Sequence, residues 1–160
     1  SIVIKDDGLI IPEVGAWGKE KYRLVTLYAD MFASSMKDKW ECRVYLDLFS
    51  GAGLSRIEGT REIVAASPLL ALDIENRFDR YIFCEENREK FSALKDRCGK
   101  FFPTADIRFV EGDANIVVDQ IIKEMPPYKK GFRVLSFCFV DPYKVSNLNF
   151  DTIKKLSKKL

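Results

Sequence analysis

The residues of this chain whose types and spacing could do chemistry are acids set at the ends of apolar runs. Asp47 interrupts the run Val44-Tyr45-Leu46-Asp47-Leu48-Phe49, and Ser50-Gly51-Ala52-Gly53 follows at once. Glu85 and Glu86 close Arg80-Tyr81-Ile82-Phe83-Cys84. Asp113-Ala114 comes just after Ile107-Arg108-Phe109-Val110-Glu111, and Asp141-Pro142-Tyr143 follows the apolar stretch 132–140. Two glycines in four residues let backbone approach a ligand, because no Cβ intervenes and positive φ is cheap. An acid late in a buried strand, followed by a G-x-G turn, is how α/β folds build a nucleotide pocket at the carboxyl end of the sheet. In such folds an acid ending the second strand accepts hydrogen bonds from ribose hydroxyls, and Glu85 is assigned that role. Glu86 then sits at the next helix start, where negative charge favours the macrodipole. Asp113 is either a helix N-cap or a ligand contact.

The sequence contains no histidine. This removes Ser-His-Asp and Cys-His mechanisms and every His-ligated metal site. Proton transfer must use a carboxylate, Lys, Tyr or water. Cys42, Cys84, Cys98 and Cys138 form no C-x-x-C pair and lack zinc-site spacing, so they read as reduced thiols and no metal is expected. No G-x-x-x-x-G-K-[ST] occurs, which argues against a P-loop NTPase. Arg56 stands where G-x-G-x-x-G needs its third glycine, which argues against a nicotinamide dehydrogenase. The stretch D-L-F-S-G-A-G instead resembles the D-x-F-x-G-x-G opening motif of class I S-adenosylmethionine-dependent methyltransferases. The plain alternative is a tight strand-to-helix turn that binds nothing.

The elements that must hold these residues can be read from periodicity. Residues 1–18 read as extended and then loop-like, punctuated by Pro12, Gly15 and Gly18. Residues 19–35 read as an amphipathic helix with Tyr22, Val25, Leu27, Tyr28, Met31 and Phe32 on its apolar face, and Trp17 as a packing anchor before it. Strand 1 runs into the glycine turn. Residues 54–66 read as a long loop, either a surface insertion or a lid, after which Ser67 caps a helix over 68–74. Strand 2 covers 80–85, and the helix over 88–100 turns Phe91, Leu94 and Cys98 inward. Strand 3 covers 106–111, a helix 116–123, strand 4 132–140 and a last helix about 150–158. Such alternation makes a parallel sheet with helices on both faces. The expected fold is therefore α/β, a Rossmann-like doubly wound parallel sheet in the order 3-2-1-4. Its pocket lies over strands 1 and 4, where the order reverses. The spacing from Gly51 to Glu85 exceeds the usual gap of about 20 residues, and the 54–66 segment accounts for the excess.

Composition suits a single domain: 160 residues, 47% hydrophobic, net charge +2. That charge neither demands nor excludes nucleic acid. No apolar run reaches the roughly 18 residues of a membrane span, and the N-terminus lacks a signal pattern, so the expected location is cytoplasmic.

The whole pattern resembles one family, the three-Cys-motif partner proteins (TcmP). The matching stretches are V-G-A-W-G-K-E-K, Y-L-D-L-F-S-G-A-G, A-S-P-L-L-A-L, Y-I-F-C-E-E-N and F-V-D-P-Y-K, within residues 14–144. The resemblance implies a methyltransferase-type domain with S-adenosyl-L-methionine (SAM) as cofactor. It implies that Gly51 and Gly53 approach the methionine part of SAM, within a turn formed by Asp47, Phe49, Ser50 and Ala52. Glu85 would hold ribose, Asp113 with Ala114 would lie near adenine, and Asp141 would sit at the transfer centre. Asp141-Pro142-Tyr143 also resembles the D-P-P-Y or N-P-P-Y box of amino-directed methyltransferases, shortened by one proline. The implied reaction is methyl transfer to an amine or hydroxyl, with nucleic acid tried first because Arg56 and Arg61 lie near the expected pocket mouth. The alternative is a non-catalytic binding module acting with a protein partner. Strand 4 reads as central, without charge or proline. The resemblance therefore makes this chain the N-terminal part of a seven-stranded sheet, or else predicts a homodimer across strand 4.

Overall fold

The computed structural model describes residues 2–141 and 144–158. In chain order the elements are β1 (Glu13–Val14), α1 (Gly18–Met36), β2 (Cys42–Asp47), β3 (Leu54–Ile57), β4 (Ile63–Ala65) and α2 (Ser67–Leu72). Next come β5 (Arg80–Glu85), α3 (Arg88–Phe101), β6 (Ile107–Glu111), α4 (Ala114–Glu124), β7 (Val134–Phe139), a single 3-10 turn (Val145–Asn147) and α5 (Phe150–Ser157).

Four strands form a parallel sheet in the order β6-β5-β2-β7. Side chains of a strand alternate between its faces, and both faces here are covered. Tyr45, Tyr81 and Phe83 pack toward Ala29 of α1, Leu69 of α2 and Leu94 of α3. Val44, Leu46, Ile82 and Cys84 pack toward Val117 and Ile121 of α4 and Leu156 of α5. This double burial is why β2 and β5 read as continuous apolar runs. The register sets Asp47 beside Phe83 on one neighbour and Phe139 on the other, and Glu85 beside Glu111. All four strands thus deliver their carboxyl ends to one side of the molecule. Among the described residues β7 pairs only with β2.

Four local expectations are corrected. Residues 54–66 are not a loop. They fold as the antiparallel hairpin β3–β4, and β1 adds to β3 in parallel to make a second, three-stranded sheet. Its turn needs Gly59, which takes φ +74°, and Ile63 and Val64 are the β-branched residues that favour a strand. The inward face of α1 is Tyr22, Val25, Ala29 and Ala33, whereas Leu27, Tyr28 and Met31 are exposed. Two fully buried alanines let the helix lie close to the aromatic sheet face, where Phe32 meets Phe137 at 5.1 Å. The larger apolar residues are thereby turned outward. Trp17 is 74% exposed and is no packing anchor. Finally, α2 starts at Ser67 itself and ends at Leu72, with Ala66 in the cap position. The Ser67 hydroxyl is committed elsewhere.

The glycine turn shows which glycine serves the fold. Gly53 takes φ +87°, and a Cβ there would meet Leu94 Cδ1 at 3.3 Å and Leu69 Cγ at 3.4 Å. A side chain at this position would point into the core. Gly53→Val should therefore destabilise the domain, by about 1–3 kcal/mol for the strained backbone alone. Urea unfolding checks this, and a midpoint equal to the parent's would contradict the assignment.

Candidate functional site

A cavity of about 680 Å³ opens where the sheet's carboxyl ends meet the glycine turn. Phe49, Ser50, Gly51 and Ala52 line one side, Glu85 and Glu86 another, and Asp113, Ala114 and Asp141 a third. Nine residues singled out in the sequence are thus brought together. Asp47 and Gly53 are not on the wall: Asp47 is fully buried, and Gly53 backs onto Leu69 and Leu94. Pro142 and Tyr143 lie outside the described residues.

Hydrogen bonds hold the turn. Ser50 N–H donates to Cys84 O at 2.9 Å, tying the turn to the neighbouring strand. Gly51 takes φ +72°, and its N–H donates to Glu85 Oε1 at 2.8 Å. Glu85 Oε2 accepts from Asn87 N–H, also at 2.8 Å. One buried carboxylate therefore joins the end of β2 to the start of α3. Asn87, rather than Glu86, caps α3, with its Oδ1 accepting from Lys90 N–H at 2.9 Å. Asp113 does cap α4, accepting from Asn115 N–H at 2.9 Å, while also lining the cavity.

Asp47 supports the turn from below. Its Oδ2 accepts from Ser67 Oγ at 2.7 Å and its Oδ1 from Phe49 N–H at 3.2 Å. Burial pushes its carboxyl up to about 7, against the pull of those two bonds, with the charges of Asp141 and Glu85 adding to the rise. Burial likewise pushes the thiols of Cys84, Cys98 and Cys138 up to about 12. They are far from the thiolate form that nucleophilic or metal-binding cysteine requires.

Two features of the site escaped the sequence. Lys21 of α1 crosses to Asp141, with Nζ 2.7 Å from Oδ2 and each side chain about one-fifth exposed. No spacing pattern links positions 120 residues apart. The neighbouring Tyr22 hydroxyl meets Ser55 Oγ at 3.1 Å, which fixes this part of α1 against β3. The second feature is charge. The wall carries Glu13, Glu85, Glu86, Asp113 and Asp141 against Lys21, Lys90 and Lys144, and no arginine. Arg56 and Arg61, expected near the mouth, do not line the cavity. The hairpin carries them away, and Arg56 donates to Asp6 and to Arg61 O.

No family model matches the chain, and no curated protein matches it. Among solved structures it is similar to the crystal structure of protein LPL1258 from Legionella pneumophila str. Philadelphia 1, whose family model is DUF519. The TM-score is 0.57 with 17% sequence identity, over 86% of this chain and 62% of that one. A likeness at that identity is one of fold: an α/β domain with a parallel sheet flanked by helices. The chain spans 62% of that neighbour's length. Among the described residues no helix is long and apolar enough to cross a membrane.

The Asp47 carboxyl makes stability depend on pH. From about pH 4 to about pH 7 the folded state keeps a proton there that the unfolded chain has released. Asp47 should therefore make stability fall as pH rises through that window, and contribute no further slope above it. Asp47→Asn has no proton to lose and should flatten this component. Urea unfolding of parent and variant across the window measures the difference. Identical pH dependence in the two proteins would contradict it.

Proposed function

We propose that the cavity binds SAM and that the protein transfers its methyl group to an amine or hydroxyl held by Asp141. The observation that carries this is the setting of the glycine turn: the strand it leads into and the carboxylate it meets. In a dinucleotide site the pyrophosphate rests on the N-terminus of the helix directly after the glycines. Here the turn runs into β3 instead, and the Gly51 amide is already held by the Glu85 carboxylate. A pyrophosphate would meet an anion where it needs a donor, within a wall of five acids and three lysines. A cationic sulfonium is favoured by that same wall.

The residues present fit an adenosyl ligand. Each Glu85 oxygen accepts one N–H and keeps a lone pair for a ribose hydroxyl. Glu86 stands beside it on the wall. Asp113 and Ala114 supply an acceptor and a small apolar contact for adenine. When bound, SAM supplies an activated methyl group. Asp141 would orient the acceptor and take up or pass on its proton, and fixing that geometry supplies much of the rate.

The resemblance to the three-Cys-motif partner proteins supports the same reading. So does the sheet, taken as strands 3-2-1-4 of a Rossmann-like, seven-stranded methyltransferase fold. Among the described residues β7 pairs only with β2, and its other edge supports an added strand, from further chain or from a second copy. A nucleic-acid base amine is the first acceptor class to try, in a cytoplasmic setting. One observation favours a second reading, a binding module acting with a protein partner: Asp141 already holds the Lys21 ammonium.

Calorimetric titration with SAM, S-adenosylhomocysteine and NAD tests the proposal. Both adenosyl ligands should bind and NAD should not. Glu85→Ala should weaken binding by about 1–3 kcal/mol, the scale of a lost charge-assisted hydrogen bond. Asp141→Ala should leave affinity within a few-fold of the parent and abolish methyl transfer. Absence of binding by either adenosyl ligand would overturn the proposal, and tight NAD binding would replace it.

A further inference from the structure

Arg97 of α3 is the largest fully buried side chain among the described residues, 1% exposed, and it is not itself one of the residues that line the cavity. Its guanidinium joins three stretches of chain. Nε and Nη2 donate to the two oxygens of Asp7 at 2.9 and 2.7 Å. Nη1 donates to Ile10 O at 2.9 Å and to Ala52 O at 2.7 Å. Ala52 lies between the two glycines of the turn. The segment that Asp7 begins runs on through Pro12, whose carbonyl accepts from Arg56 N–H, and into β1. Pro12, Glu13 and Val14 line the cavity.

A guanidinium buried this deeply needs an anion, and the planar fork suits a bidentate carboxylate. Asp7 is that anion, and the bonded guanidinium holds its carboxyl below the ordinary carboxylate range. Without it the cation would be left uncompensated in the interior and would be drawn toward water. The Ala52 carbonyl would then lose its donor. The turn would be free to move on its two positive-φ hinges, Gly51 and Gly53.

We propose that Arg97 and Asp7 are positioning residues of the ligand site: they lock the glycine turn and the wall at residues 12–14 into one unit. The ligand assignment rests on the adenosyl reading above. The locking does not, because it concerns the turn in the unliganded protein. Residues 7–14 are then a structural part of the site and not a tail laid over it.

The test is Asp7→Asn, which keeps the shape and removes the charge. Two readouts are taken: amide hydrogen exchange of the unliganded protein, and affinity for S-adenosylhomocysteine. Exchange in the 51–54 turn should accelerate at least about tenfold, the equivalent of one lost charge-assisted hydrogen bond, with β5 and β6 unchanged. Affinity should fall by a similar factor, and Asp7→Glu should restore most of both. Parent-like exchange in the turn would overturn the proposal. So would acceleration shared equally by β5 and β6, which would mark a general loss of stability. Should Asp7→Asn not fold, Arg97→Lys keeps the charge and loses the fork. It should show the same local acceleration, and a parent-like turn in that variant would overturn the proposal equally. If the parent binds no adenosyl ligand, the functional reading fails while the exchange result still decides the locking.

Discussion

The Glu85 carboxylate is the interaction on which the rest of the site depends. It receives the Gly51 amide with one oxygen and the Asn87 amide with the other. Glycine turns at strand ends have backbone N–H groups that must find partners, and buried ones left unpaired cost on the order of 1–3 kcal/mol each. Here one side chain, 34 positions along the chain from Gly51, satisfies both the turn amide of Gly51 and the Asn87 amide at the start of α3. That is feasible only because β2 and β5 are parallel neighbours in a fixed register, so that Glu85 arrives beside the turn. The fold thus makes the turn, and the turn makes the cavity.

The same bond sets the electrostatics. A carboxylate occupies the place where a phosphate-binding turn presents a free amide. Asp47 below and Asp141 beside it add to the concentration of acid, and the mutual repulsion contributes to the raised Asp47 carboxyl. Lys21 offsets part of this charge through its ion pair with Asp141. A cationic ligand would offset more. Burial is the main cause of the elevated Asp47 carboxyl, and the charges of Asp141 and Glu85, two of the acids that would favour a cationic ligand, add to that rise.

Much of this is legible in the chain. Apolar runs ending in acids mark the strands of a parallel sheet, because strands buried on both faces carry no polar alternation. Acids at successive strand ends converge by topology, so Glu85, Asp113 and Asp141 can be gathered from the sequence alone. What is hidden depends on tertiary contact. The β3–β4 hairpin is masked by charged residues and a glycine that mimic a loop. The packed face of α1 escapes periodicity because close approach to an aromatic sheet selects alanine over larger apolar residues. Asp47 and Gly53 belong to the motif, yet one is buried beneath the turn and the other faces the core. Lys21 and Arg97 give no signal, since a lone cation has no spacing rule that names its distant carboxylate.

The most direct test of the central claim is a crystal structure grown with S-adenosylhomocysteine. The account requires the adenosyl group between the glycine turn and Asp113, with a ribose hydroxyl donating to Glu85 while Gly51 N–H remains on that carboxylate. A ligand bound elsewhere, or one that displaces Glu85 from Gly51 to place an anion on the turn, would contradict it.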